Sequence, residues 1–151
     1  MKKYLPYISI SILVASGLIY FGFSKEERIS STNNRQTEQS TDFARETKKD
    51  DQASVTVSVT PVEMSGQSQE WKFDVVMDTH SVELDQDMTK ITILVDDQGK
   101  EYKPISWDGP TGGHHREGIL TFSKITPTPK SVELKISDIG GVIRTFNWQL
   151  K

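Results

Sequence analysis

Hydrophobic and polar positions divide the chain into three stretches. From Tyr4 to Ser24 no residue is charged, and Lys2 and Lys3 stand just before this run. About 20 helical residues, each rising about 1.5 Å, cross a hydrocarbon core, so residues 1–23 read as an N-terminal transmembrane anchor. Pro6 falls near the start, where a helix accommodates it. The positive flank predicts a single pass through the cytoplasmic membrane with the N-terminus inside and the C-terminal part outside. A cleaved signal peptide competes with this reading, with Tyr4–Val14 as its apolar region and Ala15, Ser16 and Gly17 as small residues behind it. Leu18–Phe23 prolongs the apolar run beyond what a signal peptide needs. Leu18 also stands where a lipoprotein box would carry its cysteine, which excludes lipidation. Both readings make the remainder extracytoplasmic.

Residues 24–52 contain only Ile29, Phe43 and Ala44 as apolar residues among Ser, Thr, Gln, Asn and mixed charge. So little apolar surface does not offset the entropy of ordering, and the stretch reads as a disordered tether. As a flexible coil it spans roughly 30 Å.

From residue 53 to 151 the pattern changes to alternation with period two, the mark of strands with one buried face. Val55, Val57 and Val59 give the first. Trp71, Phe73, Val75 and Met77 give the second, and Ile91, Ile93 and Val95 the third, ending in the turn Asp96-Asp-Gln-Gly99. Glu101–Trp107 is the fourth, with Pro104 marking an edge or a bulge. Gly118–Ser123 is the fifth, Val132/Leu134/Ile136 the sixth, and Arg144/Phe146/Trp148/Leu150 one face of the seventh. Seven short strands without a helical period predict an all-β, antiparallel, immunoglobulin-like sandwich. Trp71 and Trp148, alternating with polar neighbours, belong to its core.

Charge and composition narrow the partners. The chain carries −3 overall, and residues 53–151 hold ten Lys and Arg against fourteen Asp and Glu. A mildly acidic domain without a basic stripe argues against nucleic acid and against docking on anionic lipid. With no cysteine, disulfides, thiolate metal sites and cysteine nucleophiles are excluded.

The most unusual stretch is Ser106–Phe122, SWDGPTGGHHREGILTF, with four glycines and two of the three histidines. His80 opens a second polar segment, Asp78–Asp87, which holds four acids and no base. Imidazole is a common ligand for copper and zinc. If the two segments meet, His80, His114, His115 and Asp78 are candidate ligands of a Cu or Zn ion. Adjacent residues of an extended strand point to opposite faces, so His114 and His115 share an ion only where the glycines bend the chain. Otherwise one histidine orders the loop through a carboxylate or carbonyl and the other is solvated. Trp107 and Asp108 are candidates for presenting a platform to a sugar ring or a protein. Arg116 is a candidate for accepting a ligand carboxylate or phosphate, or else pairs with Glu117, Asp108 or Glu101. No nucleophile-elbow spacing or marked carboxylate pair is present, so no catalytic residue and no enzyme is expected. Met64, Met77 and Met88 are scattered and form no methionine box.

Three strings, Asp78-Thr-His-Ser-Val82, Asp96-Asp-Gln-Gly-Lys-Glu-Tyr-Lys-Pro104 and Ser106-Trp-Asp-Gly-Pro-Thr-Gly-Gly-His-His-Arg116, together resemble an uncharacterised family of membrane-anchored or secreted prokaryotic proteins with one small β domain. The resemblance spans about Val55–Leu150. It implies an exported β-sandwich and brings no activity, ligand or catalytic residue with it.

The reading that emerges is a membrane-anchored extracytoplasmic binding or interaction module without a required cofactor. It would contact an envelope protein or a small ligand. The alternative is an envelope protein that binds copper or zinc through its three histidines.

Overall fold

The structure is a computed structural model and describes residues 45–150. The expected anchor or signal peptide, residues 1–23, and most of the expected tether lie outside these residues. Among the described residues no helix is long and apolar enough to cross a membrane.

Among the described residues nine strands and one helical turn follow in order: β1 Lys48–Gln52, β2 Val55–Glu63, β3 Glu70–Thr79, α1 Met88–Ile91, β4 Thr92–Asp96, β5 Glu101–Tyr102, β6 Ser106–Asp108, β7 His115–Ser123, β8 Ser131–Ile139 and β9 Val142–Gln149. They form two antiparallel sheets, ordered β1-β2-β3-β7-β6 and β5-β4-β8-β9. The alternation read from the sequence sets the inner faces. Val55, Val57 and Val59, then Trp71, Phe73, Val75 and Met77, then Leu120 and Phe122 are buried on one sheet. Leu94, Leu134, Ile136, Phe146 and Trp148 are buried on the other. Phe73 and Trp148 span the gap with ring centroids 5.5 Å apart, which makes the two sheets a sandwich. Each of these side chains contributes roughly 1.5–3 kcal/mol by leaving water.

Three features differ from the expectation. The first is β1, which lies inside the stretch read as tether. Lys48–Gln52 has no apolar side chain, yet it pairs with β2 from Lys48↔Val59 to Gln52↔Val55. Two groups of β9 also hold this segment: Trp148 Nε1 donates to the Glu46 carbonyl at 2.7 Å, and Arg144 Nη1 pairs with Asp50. The ordered fold therefore begins several residues before position 53. The turn from β1 to β2 is only Ala53 and Ser54, with φ of 48° and 63°. Left-handed backbone costs a residue with a β-carbon roughly 1–2 kcal/mol.

The second difference is at Pro104, where the expected fourth strand divides. Glu101–Tyr102 pairs with β4 in one sheet, and Ser106–Asp108 pairs with β7 in the other. Proline supplies no N–H to a ladder, and the chain changes sheets there. Seven strands thus become nine. The third is α1, a single turn capped by Asp87, whose Oδ1 accepts the Thr89 N–H at 3.0 Å.

Candidate functional site

β7 pairs with β3 over its whole length, from Glu70↔Ser123 to Asp78↔His115. It therefore starts at His115, three residues before the expected Gly118. This pairing brings the ends of the two unusual segments side by side. Beyond the ladder, their loops continue to bond each other. Thr79 N–H donates to the His114 carbonyl at 2.9 Å, Leu84 N–H to the Gly113 carbonyl at 3.1 Å, and Gly112 N–H to the Leu84 carbonyl at 2.9 Å. Glu83 adds a side-chain clamp, its Oε1 accepting the Gly113 N–H at 2.5 Å. Gly112 and Gly113 take φ of 85° and 94°, a conformation open to glycine without penalty. Leu84 sits in the core and pins the β3–α1 loop from below.

Arg116 lies beneath this junction and has no exposed surface. It faces inward on β7 because the strand alternates His115, Glu117 and Ile119 outward with Arg116, Gly118 and Leu120 inward. Its guanidinium donates from Nε to the Pro110 carbonyl at 2.9 Å. Nη1 donates to the carbonyls of Leu84 and Gln86 at 2.8 Å and 3.0 Å. Burial pulls its proton affinity down, while Asp85 and Asp87 act to raise it. Its hydrogen bonds go to these carbonyls and not to Glu117, Asp108 or Glu101. Arg116 thereby ties both loops to β7.

Trp107 is half-buried against the core. Its ring lies 5.4 Å from the Arg116 guanidinium carbon, and its Nε1 donates to the Pro110 carbonyl at 3.2 Å. Two glycines make room for the ring. A β-carbon on Gly109 would stand 2.5 Å from Trp107 Cζ2, and one on Gly118 would stand 2.5 Å from the Asp108 carbonyl oxygen. The ring packs on the core from the β6 edge of its sheet, and Asp108 beside it is exposed.

The histidines diverge. His115 Nδ1 meets Asp78 Oδ1 at 2.5 Å across the β3–β7 ladder. This hydrogen bond to Asp78, with its charge, raises the His115 pKa above the usual imidazole value. His114 points to Glu83, Nε2 to Oε2 4.0 Å. His80 is exposed on the rim of a recess of about 400 Å³, lined also by Asp51, Ser54, Thr56, Asp78 and Ser81. Among the described residues no three His, Asp or Glu side chains converge as a metal ion requires. The site that the sequence allowed for Cu or Zn is thus not assembled by His80, His114, His115 and Asp78. The two adjacent histidines pair with different carboxylates, and the third lies past the end of β3.

Sequence reasoning missed Glu83 and Leu84, although an apolar residue inside an otherwise acidic run is itself a sign of an anchored loop. It also missed the recess, because Asp51 and Ser54 belong to the unexpected hairpin. That hairpin fixes the direction of the chain: β1 enters opposite Val59 and runs toward the loop end, where Val55 pairs with Thr79.

Comparison of the sequence with family models and with curated proteins gives no match. Among solved structures, the chain is similar to a DUF4426 family protein from Pseudomonas aeruginosa PAO1, with 11% identity and a TM-score of 0.41 over 68% of this chain and 90% of that one. It is also similar to MPT63, a secreted protein from Mycobacterium tuberculosis, with 13% identity and a TM-score of 0.38 over 70% and 91% of the two chains.

Proposed function

We propose that this chain is an immunoglobulin-like interaction module, held on the outer side of the cytoplasmic membrane by its N-terminal apolar run. It meets a protein of the envelope through the two joined loops and acts by binding, without turnover. Strand order supports the immunoglobulin-like reading. With β1 and β5 set aside, β2-β3-β7-β6 over β4-β8-β9 follows the A-B-E-D and C-F-G arrangement of constant-type domains.

The observation that carries the binding reading is the loop junction itself. A buried arginine with three carbonyl acceptors and a glutamate clamp fix an otherwise polar, glycine-rich surface in one conformation. Preorganisation of this kind reduces the ordering cost of association. The exposed carboxylates at this end, among them Glu83, Asp85, Asp87 and Asp108, favour a partner face rich in lysine and arginine.

The test uses the full chain in its own membrane. A photo-crosslinking residue replaces His114 or Glu83 at the loop end, and Gln149 or Glu133 elsewhere as controls. A discrete adduct from the loop positions alone is expected. Equal labelling from all four positions, or none, would refute the loop end as the contact. Cysteine at His80, in a chain that has none of its own, should react with a membrane-impermeant thiol reagent on intact cells. Protection until the cells are lysed would refute the extracytoplasmic placement.

A further inference from the structure

We propose that β1 exchanges between two copies of this chain, so that β1 of each completes the five-stranded sheet of the other. The hinge is the two-residue turn Ala53–Ser54. Two-residue hairpins with positive φ at both positions are normally built from Asn-Gly or similar pairs. Here both residues carry a β-carbon and sit at φ 48° and 63°. The hinge also lies in a tight place, since a β-carbon on Gly140 would stand 2.9 Å from Ala53 Cβ. Extending Ala53 and Ser54 releases the left-handed backbone and makes β1 and β2 one continuous strand. Short hinges under strain favour exchange of this kind.

Everything that holds β1 can be re-formed between copies. Its five ladder partners are all on β2. Of the remaining ties, those of Asp50 and the Gln52 carbonyl to Arg144, and of the Glu46 carbonyl to Trp148, go to β9. Thr47 Oγ1 meets Thr60 Oγ1 of β2 at 2.8 Å, and Thr79 Oγ1 donates to the hinge carbonyl of Ser54 at 2.7 Å. Only this last bond involves the turn itself. β1 carries no apolar side chain, so withdrawing it exposes little apolar side-chain surface on the strand itself. The place it leaves is selective. Beside the open edge of β2, the buried Arg144 guanidinium requires a carboxylate at one register position, and β1 of another copy supplies it. A second copy therefore fits where an unrelated strand leaves a buried charge unpaired.

Lys49 and Ser58 face each other across β1 and β2, and the native chain has no cysteine. Two differently tagged full-length chains, one with Lys49→Cys and one with Ser58→Cys, are co-expressed and oxidised in the membrane. A mixed disulfide between the two tags is expected, several-fold above that from a Lys49→Cys and Lys72→Cys pair, whose cysteines lie on non-adjacent strands. Ala53→Asn with Ser54→Gly in both chains relieves the turn and should lower the mixed product several-fold. A single chain carrying both Lys49→Cys and Ser58→Cys bonds the pair within one copy where β1 stays at home and between copies where it is exchanged, and either product shows that the pair is competent to bond. Internal closure with a mixed product no greater than the control overturns the exchange. A mixed product that Asn-Gly leaves undiminished overturns the hinge as its cause.

Discussion

Asp50 on β1 and Arg144 on β9 form an ion pair across the open side of the sandwich, with the arginine side chain 0% exposed and the aspartate 20% exposed. The same guanidinium also gives Nη2 to the Gln52 carbonyl at 2.8 Å and to the Ile139 carbonyl at 3.3 Å. A charge this deeply placed is tolerable only while its partners remain.

Asp50→Ala removes the carboxylate and leaves the guanidinium buried. It should lower stability by about 3 kcal/mol, in the range for breaking one side of a buried pair. Arg144→Met added to Asp50→Ala should cost less than the single change, since no uncompensated charge is left. Urea unfolding of the four members of the cycle measures this; equal losses in the single and double variants would count against the account.

Arg116→Leu withdraws three hydrogen bonds; the Pro110 carbonyl keeps Trp107 Nε1 and the Leu84 carbonyl keeps the Gly112 N–H, while the Gln86 carbonyl loses the guanidinium that held it. A loss of about 3 kcal/mol is expected, because hydrogen bonds to charged groups are the stronger ones and an orphaned acceptor adds its own penalty. Amide exchange of Gly112, Gly113 and Leu84 should accelerate more than that of β8. Uniform acceleration would mean that Arg116 supports the fold in general and not the loop junction.

Gly118→Ala places a methyl 2.5 Å from the Asp108 carbonyl oxygen and 2.7 Å from the Trp107 ring. The backbone oxygen cannot yield as a flexible side chain would, so β6 must shift. Overpacking of this kind costs about 1–3 kcal/mol. Tryptophan fluorescence should move to the red as Trp107 is displaced, and an unshifted spectrum would contradict the packing described.

The Asp78–His115 pair makes a pH prediction. Asp78 raises the His115 pKa, so the stability it contributes is fully present below the unfolded imidazole value of about 6.5. It is lost as pH rises through the higher folded value. With both side chains more than half exposed, the contribution is small. The His115 ring titration followed by NMR should shift to lower pH in Asp78→Asn. An unchanged midpoint would remove Asp78 as the cause.

One equivalent of Zn(II) or Cu(II) is expected to leave the thermal midpoint unchanged, since His114 and His115 face different carboxylates and His80 lies past the end of β3. A site occupied at about 100 times its Kd would add about 2.7 kcal/mol, a shift of several degrees. A shift abolished by both His80→Ala and His114→Ala would revive metal handling.

What the sequence made legible was local. Val55/Val57/Val59 and Trp71/Phe73/Val75/Met77 declare their buried face through a two-residue period, and the sandwich follows from it. β1 could not be read that way: KKDDQ has no apolar position, and it is a strand because β2 offers an unpaired edge and Arg144 an unpaired charge. The start of β7 was hidden because its inward positions are Arg116 and Gly118, which do not look like core residues. That the two loops touch depended on β3 pairing with β7 across some forty residues of chain. No local spacing carries that information.

The geometry of β1 also has a mechanical meaning. Tension entering the fold ahead of Lys48 is carried first by the Glu46–Trp148 contact. It then passes to the five-pair ladder with β2, which runs away from the point of entry. The load pulls along the strand and so acts on those pairs in shear rather than opening them one at a time. With the loop end as the second point of attachment, that ladder and the Asp50–Arg144 pair share the load and give way together.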